Sequence, residues 1–121
     1  MTDFGIIGVG RIGTSFARNM SLNGIKVSLY DKNFDTSTYV KTHYSELESS
    51  LVFDDINKFI SSISLPRKVL VLVPSGPSLD EVISLCIKNL NSNDILIDAG
   101  NTNPTISSEN HQKIKLGKWI G

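Results

Sequence analysis

Three glycines near the start of the chain have the spacing of a phosphate-binding turn. Gly8, Gly10 and Gly13 follow a short apolar run, Phe4–Ile7, and precede a segment with helical periodicity. Between a strand and a helix, the first glycine allows a tight bend, the second lets the backbone approach a pyrophosphate, and the third lets the helix pack closely on the strand. The free N–H groups at the helix N-terminus attract phosphates. The spacing therefore favours a dinucleotide site.

A carboxylate after the next apolar run supports this interpretation. Residues 26–30 have the composition of a second strand, and Asp31 follows them directly. In dinucleotide-binding βαβ units, an acidic residue about 20 residues beyond the glycines accepts hydrogen bonds from the ribose hydroxyls. The alternative, a glycine turn that serves only the fold, remains open at this point.

Length and composition predict one ordinary globular domain over residues 1–121. The chain is 40% hydrophobic and 20% charged, and its 12 basic residues balance 12 acidic ones. This balance gives no broad basic surface for nucleic acid, so local geometry must hold any bound anion. Apolar runs are shorter than the roughly 20 residues that span a bilayer, and no signal-peptide pattern is present. We therefore expect a cytoplasmic protein that binds neither nucleic acid nor membranes.

The single cysteine and the two histidines do not predict catalytic or metal-binding residues. Cys86 falls on the apolar face of a predicted helix, where a small core residue is expected rather than a nucleophile. His43 and His111 lie in polar stretches and are expected at the surface. No Cys/His cluster has the spacing of metal ligands.

The rest of the chain alternates between strand-like and helical segments. Strands are predicted at residues 4–7, 26–30, 51–53, 68–73, 95–98 and from 118 onward. Helices are predicted at residues 11–22, about 36–48, after 54, after 78 and about 104–115. This alternation predicts an α/β fold, a Rossmann-like doubly wound and mostly parallel sheet with helices on both faces.

Helix caps and helix faces are also predicted from the pattern. Asp54 is expected to cap one helix, and Ser78 with Glu81 has the spacing of a capping box for the next. Asn103, just before Pro104, is expected to cap the last helix. The buried face of the first helix is expected to consist of its larger apolar side chains and one alanine: Ile12, Phe16, Ala17 and Met20.

Polar segments follow four of the predicted strands. They are residues 8–13, 31–33, 73–77 and 100–103. Ligands of doubly wound sheets bind beyond the C-terminal ends of the strands, so we expect all four segments to meet on one side of the sheet.

Together these segments resemble one family, the decarboxylating 6-phosphogluconate dehydrogenases. The resembling stretches read IIGVGRIG, PRKVLVLVPSG and DILIDAGNTNP. In that family the glycine fingerprint precedes a proline-arginine-lysine segment, a strand that ends in VKAG, and then DGGN. Related β-hydroxyacid dehydrogenases usually have aspartate-serine-threonine where this chain has DAGN. The resemblance covers nearly the whole chain, but only the N-terminal, cofactor-binding domain of the family.

The resemblance implies a role for each strand-end segment. The residues implied around the pyrophosphate are Gly8, Val9, Gly10, Arg11, Ile12 and Gly13. Those implied at the adenosine ribose are Asp31, Lys32 and Asn33. Near the second ribose and the nicotinamide it implies Val73, Pro74 and Ser75. Asn101 is implied at the junction of nicotinamide and substrate, where its amide can donate and accept hydrogen bonds, unless it only turns the strand end.

The chain departs from the family pattern at two places that concern the cofactor. Members that use NADP tend to have asparagine-arginine-threonine where this chain has Asp31, Lys32 and Asn33. A carboxylate repels a 2′-phosphate, although Lys32 can attract it as a point charge. We therefore expect NAD or NADP as the cofactor, with a preference for NAD. Pro74 and Ser75 replace lysine-alanine and so remove a positive charge near the site.

The resemblance implies oxidoreductase chemistry in the pentose phosphate pathway. The cofactor accepts hydride from C3 of 6-phosphogluconate, and the keto acid then loses carbon dioxide to give ribulose 5-phosphate. The family's substrate segment and its catalytic lysine and glutamate lie beyond the position that matches Gly121, as does its all-helical domain. We therefore expect no catalytic residue in this chain and no turnover by the chain alone. A stand-alone NAD(P)-binding or regulatory module, or a domain of another β-hydroxyacid dehydrogenase, remains an alternative.

Overall fold

A computed structural model of the chain describes residues 1–74, 76–98 and 118–120. The strands are β1 (Phe4–Ile7), β2 (Val27–Tyr30), β3 (Leu51–Phe53), β4 (Lys68–Val71), β5 (Ile95–Asp98) and β6 (Lys118–Ile120). The helices of this described part are α1 (Arg11–Leu22), α2 (Phe34–His43), α3 (Ile56–Ser61) and α4 (Pro77–Asn89), with one turn of 3₁₀ helix at Ser45–Leu47.

The six strands of the described residues form one sheet in the order β3-β2-β1-β4-β5-β6, and every neighbouring pair is parallel. β1 lies between β2 and β4. The chain therefore builds one half of the sheet outward from β1 to β3 and then crosses back to β4. The switch point of a doubly wound sheet, where ligands bind in the crevice, lies between β1 and β4.

Helices cover both faces of the sheet, which confirms the predicted fold class. Ile6 of β1 and Leu70 of β4 pack under α1 and α2, with Ala17, Val40 and Leu47. The opposite face carries α3 and α4, whose core residues include Phe59, Ile60, Ile83 and Cys86. Alternate residues of the same strands thus enter two separate cores, because both faces of a parallel sheet are buried.

The buried face of α1 differs from the prediction. Ile12 and Phe16 are 62% and 42% exposed, whereas Ala17 is fully buried. A side chain at Gly13 would collide with the Gly8 carbonyl oxygen, so α1 lies very close to the end of β1. The small residues therefore face the sheet, and the prediction was wrong for Ile12 and Phe16.

Two helix caps also differ from the prediction. Asp55, not Asp54, caps α3: its carboxylate accepts hydrogen bonds from the N–H groups of Asn57 (2.7 Å) and Lys58 (3.4 Å). α4 begins at Pro77 after an N-cap at Gly76, without a side-chain capping bond, so Ser78 lies inside the helix. Proline suits the first helical position because no intrahelical partner exists there for an N–H.

The remaining helix differs mainly in its bounds. α2 begins at Phe34, two residues before the predicted start, because Asn33 accepts a hydrogen bond from the N–H of Asp35 (3.1 Å) and so acts as its cap. The helix predicted at about 104–115, with its Asn103 cap, lies outside the described residues, as does His111. His43 is exposed, as predicted.

Cys86 lies in the core between α4 and the sheet, as predicted. Its side chain is 0% exposed, and burial raises the pKa of its thiol to about 12. A thiol held in its neutral form is a poor nucleophile, because the thiolate is the reactive species. Within the described residues, no helix is both long and apolar enough to cross a membrane. The same residues contain no cluster of three or more potential metal ligands.

Candidate dinucleotide-binding site

A cavity of about 500 Å³ opens beyond the C-terminal ends of β1, β2 and β4. Strand-end residues form one wall: Gly8 and Gly10 after β1, Tyr30, Asp31 and Lys32 at the end of β2, and Leu72, Val73 and Pro74 after β4. The other wall is α4, through Ser78, Glu81, Val82 and Leu85. Three of the four predicted polar segments therefore meet on one side of the sheet. The fourth, residues 100–103, lies outside the described residues.

The backbone around the glycines leaves one side of the turn open. Gly8 has a φ of +97°, and a Cβ there would lie 2.8 Å from the carbonyl oxygen of Leu72, so only glycine fits. A Cβ on Gly10 would meet nothing within 4 Å. Gly10 is the N-cap of α1, and the first turn of that helix has no acidic residue. The N–H groups of this turn and the helix dipole can therefore attract an anion in the space beside Gly10.

Asp31 connects the end of β2 to the glycine turn. Its Oδ2 accepts a hydrogen bond from the Val9 N–H (2.7 Å), and its Oδ1 accepts one from the Asn33 N–H (2.9 Å). Each carboxylate oxygen has two lone pairs, so both can still accept from a ribose hydroxyl. The carboxylate thus holds the turn in place while it faces the cavity.

Negative charge collects at the β2 end of the cavity. The pKa of the Tyr30 phenol is raised above its ordinary value, first by burial and then by the charges of four carboxylates, Glu81, Asp55, Asp31 and Asp54. The Tyr30 hydroxyl therefore stays protonated at neutral pH and can donate a hydrogen bond. Lys32, the cation among the described lining residues, is exposed beside it.

The predicted site residues divide into three groups. Those that line the cavity are Gly8, Gly10, Asp31, Lys32, Val73 and Pro74. Those that lie beside it without lining it are Val9, Arg11, Ile12, Gly13 and Asn33. The side chain of Val9 is buried among the core residues under α1, and only its N–H points to Asp31. Ser75 and Asn101 lie outside the described residues.

Sequence reasoning missed the α4 wall of the cavity. Ser78, Glu81, Val82 and Leu85 recur at the i, i+3, i+4, i+7 spacing that marks one helix face. That spacing was a usable signal, but Ser78 and Glu81 were assigned to a helix cap. Ile7, Tyr30 and Leu72 were also missed, because each directly precedes the first predicted site residue of its segment.

The arginine of the proline-arginine-lysine segment does not belong to this cavity. It lies at the opposite edge of the sheet, just before β4, where the Arg67 N–H donates to Asp94 Oδ1 (2.6 Å). Asp94 Oδ2 accepts from the Asn91 N–H (2.7 Å) and from the Arg67 guanidinium (3.3 Å). Since Asp94 is 0% exposed, this ion pair closes the N-terminal edge between β4 and β5.

A family comparison agrees with this geometry. The sequence model of the family described as the NAD binding domain of 6-phosphogluconate dehydrogenase matches residues 3–118. The chain belongs to this family. Its cofactor is accordingly of the nicotinamide type, NAD or NADP.

Individual relatives support the same assignment. The decarboxylating 6-phosphogluconate dehydrogenase of Chlamydia trachomatis is 32% identical over 115 residues, which are 94% of this chain and 24% of that protein. The solved 6-phosphogluconate dehydrogenase of Plasmodium falciparum, described with its cofactor NADP+ and with its substrate, superposes with a TM-score of 0.84 at 26% identity. That match covers 98% of this chain and 26% of the other.

A more distant structure shares the fold alone. The 3-hydroxyisobutyrate dehydrogenase of Mycobacterium tuberculosis gives a TM-score of 0.79 at 17% identity, over 99% of this chain and 38% of that one. The chain spans about a quarter of the length of the 6-phosphogluconate dehydrogenases that it matches. The part that it matches is their N-terminal, cofactor-binding domain.

Proposed function

We propose that the cavity beyond β1, β2 and β4 binds NAD or NADP as the cofactor domain of an oxidoreductase similar to 6-phosphogluconate dehydrogenase. The observation that carries this proposal is the open space beside Gly10, where a Cβ would meet nothing within 4 Å, directly at the N-terminus of α1. No neighbouring protein atom requires a glycine at this position, so the absent side chain leaves room for a pyrophosphate. Asp31 faces the same cavity at the distance along the chain expected for a ribose ligand.

Each strand-end segment would bind a different part of the cofactor. The turn from Gly8 to Gly13, with Val9, Arg11 and Ile12, would surround the pyrophosphate through its N–H groups. Asp31, Lys32 and Asn33 would meet the adenosine ribose. The segment Val73, Pro74 and Ser75, together with Asn101, would lead toward the nicotinamide. These assignments stay predictions.

In a complete enzyme the bound cofactor would accept hydride from C3 of 6-phosphogluconate, before decarboxylation to ribulose 5-phosphate in the pentose phosphate pathway. This chain's residues would bind and orient the dinucleotide; no residue in it is proposed as catalytic. Incubation of the chain with 6-phosphogluconate and either cofactor should therefore yield no reduced nicotinamide. Turnover by the chain alone would contradict the assignment as a binding domain. A cytoplasmic location, and the lack of nucleic-acid and membrane binding, stay predictions from sequence.

The proposal includes a preference for NAD. The Asp31 carboxylate at the end of β2 disfavours a 2′-phosphate and favours free ribose hydroxyls. Titration calorimetry with each cofactor tests this preference. A tenfold tighter binding of NADP, about 1.4 kcal/mol, would overturn it.

Substitution of Gly10 tests the site itself. In Gly10→Val the new side chain fills the open space beside the α1 N-terminus, so binding of NAD and NADP should be lost while the fold is kept. Ser15→Val places the same side chain on an exposed position of α1 and serves as the control. Unchanged affinity in Gly10→Val, with a native circular dichroism spectrum, would refute the assignment of the pyrophosphate to this turn.

A further inference from the structure

We propose that Glu81 on α4 is a second determinant of cofactor choice, which acts with Asp31 to favour NAD over NADP. This inference rests on the proposed binding of a dinucleotide in the cavity. It assigns a role to the helix wall that faces the end of β2.

Glu81 and Asp31 face the same cavity from different elements. Asp31 follows β2, while Glu81 lies in the second turn of α4, between the lining residues Ser78 and Val82. Tyr30 and Lys32 line the cavity beside Asp31. The cavity that is expected to hold the adenosine ribose is therefore lined by one carboxylate beyond the sheet and one from the helix.

The raised pKa of the Tyr30 phenol agrees with a Glu81 charge near the end of β2. Among the charges that raise the pKa of the Tyr30 phenol, that of Glu81 acts more strongly than that of Asp31. The ring of Tyr30 is fixed against Phe59, with ring centroids 5.9 Å apart. The Glu81 charge therefore acts on the side chain of the last residue of β2, which lines the same cavity.

The charges around the cavity distinguish the two cofactors. The described lining residues include two carboxylates, Asp31 and Glu81, and one cation, Lys32. A phosphate monoester adds a charge of about −1.5 to −2 at neutral pH, whereas the 2′-hydroxyl of NAD is neutral. A 2′-phosphate would therefore meet net repulsion that NAD does not meet. Because Glu81 is exposed, water and salt weaken its contribution.

Glu81 can be changed without disturbing the glycine turn. Both oxygens of Asp31 hold backbone N–H groups, of Val9 and Asn33, so its replacement alters the turn for either cofactor. Glu81 belongs to a helix on the other wall, and Glu81→Gln keeps its size while it removes the charge. The neighbouring Asp80, in the first turn of α4, is exposed and does not line the cavity. Asp80→Asn is thus a charge-matched control.

The test measures the dissociation constants of NAD and NADP by calorimetry for the 121-residue chain and its variants. Glu81→Gln should tighten NADP about fivefold, and Glu81→Lys more, as expected for one screened charge near a phosphate. NAD affinity should stay within about twofold, since its ribose is uncharged. The gain for NADP should shrink at about 1 M salt, where the Debye length falls to about 3 Å. Asp80→Asn should change the ratio of the two constants much less.

The outcomes separate this inference from the proposed function. If the wild-type chain binds NAD but neither Glu81 variant changes the ratio, Glu81 has no role in selectivity and the site assignment stands. An equal change in Asp80→Asn would also overturn the role of Glu81, because it would show a general effect of net charge. If the folded wild-type chain binds neither dinucleotide, the proposed function is wrong, and the role of Glu81 that rests on it is wrong as well. Circular dichroism of each variant verifies that it is folded.

Discussion

Two aspartates at opposite edges of the sheet make similar hydrogen bonds but have different surroundings. Asp94, at the N-terminal edge, and Asp31, at the C-terminal edge, each accept hydrogen bonds from two backbone N–H groups. Asp94 is fully buried and paired with Arg67, whereas Asp31 faces a cavity beside the exposed Lys32. The first carboxylate has its charge neutralised inside the protein. The second keeps accepting capacity toward the cavity, and this is what separates a structural carboxylate from a candidate ligand-binding one.

The largest effect is expected from loss of the Asp94–Arg67 ion pair at the N-terminal edge of the sheet. Asp94→Ala leaves the Arg67 guanidinium, 16% exposed, without its partner and removes the acceptor of two N–H groups. Loss of one partner of a buried ion pair costs about 3–5 kcal/mol, and urea unfolding should show it. Asp54→Ala, at an exposed position that caps no helix, should change the free energy of unfolding by no more than about 0.5 kcal/mol. Similar values for both variants would contradict the structural role of Asp94.

A second experiment asks whether the two edges are independent. NAD at a hundred times its dissociation constant should stabilise the folded chain by about 2.7 kcal/mol. The same increment is expected in Asp94→Ala, if that variant is folded, because distant sites with no shared partner have additive free energies. Thermal unfolding with and without NAD measures both values. A much smaller increment in the variant would show that the N-terminal edge helps to form the cofactor site.

Two glycines of the same turn differ in whether the structure has room for a side chain. Gly13→Ala places a Cβ against the Gly8 carbonyl oxygen, and overpacking of this kind costs about 1–3 kcal/mol. Gly10→Ala meets no atom within 4 Å at an ordinary φ of −84°. The free energy of unfolding should change by no more than about 0.5 kcal/mol, because the gain from a stiffer unfolded chain offsets the cost of alanine at an N-cap. Urea unfolding of the two variants makes the comparison. Equal destabilisation would mean that Gly10 is also required by the fold, which would weaken the argument for the ligand.

The smallest expected effect concerns Asp31. Asp31→Asn keeps one acceptor oxygen, so one of the bonds to the N–H groups of Val9 and Asn33 is lost. We expect the free energy of unfolding to fall by about 1 kcal/mol and both cofactors to bind more weakly. NADP should lose less affinity than NAD, because the charge that repels its 2′-phosphate is removed. Asp35→Asn, an exposed position in the first turn of α2, controls for the lost charge. If the variant instead gains NADP affinity at unchanged stability, Asp31 acts as a charge alone and not as a holder of the turn.

Local patterns in the sequence predicted much of the fold and part of the site. The glycine turn and Asp31 lie within one βαβ unit, and the common geometry of such a unit brings them together. The alternation of segments predicted helices on both faces of a parallel sheet, and the fold confirms it. The structural roles predicted for Gly8 and Gly13 are confirmed by the collisions that a Cβ would cause.

Features that depend on distant partners were not predicted. Periodicity finds the apolar side chains of α1, but it does not show that Gly13 and Ala17 take the side against the sheet and leave Ile12 exposed. Likewise, Glu81 lines the same cavity as the end of β2 only because the fold places α4 opposite the ends of the strands. Whether a helix face belongs to the core or to a binding site depends on what lies opposite it, and the sequence of the helix alone does not contain that information.

The hydrogen bond from the Val9 N–H to Asp31 has a consequence for the thermodynamics of binding. Because both partners of this 2.7 Å bond belong to the protein, the bond can restrain the turn before a dinucleotide arrives. Little conformational entropy of the turn is then lost on association, and more of the contact energy appears as affinity. The end of β2 thus limits the motion of the end of β1, so that the neighbouring strand keeps the turn preorganised.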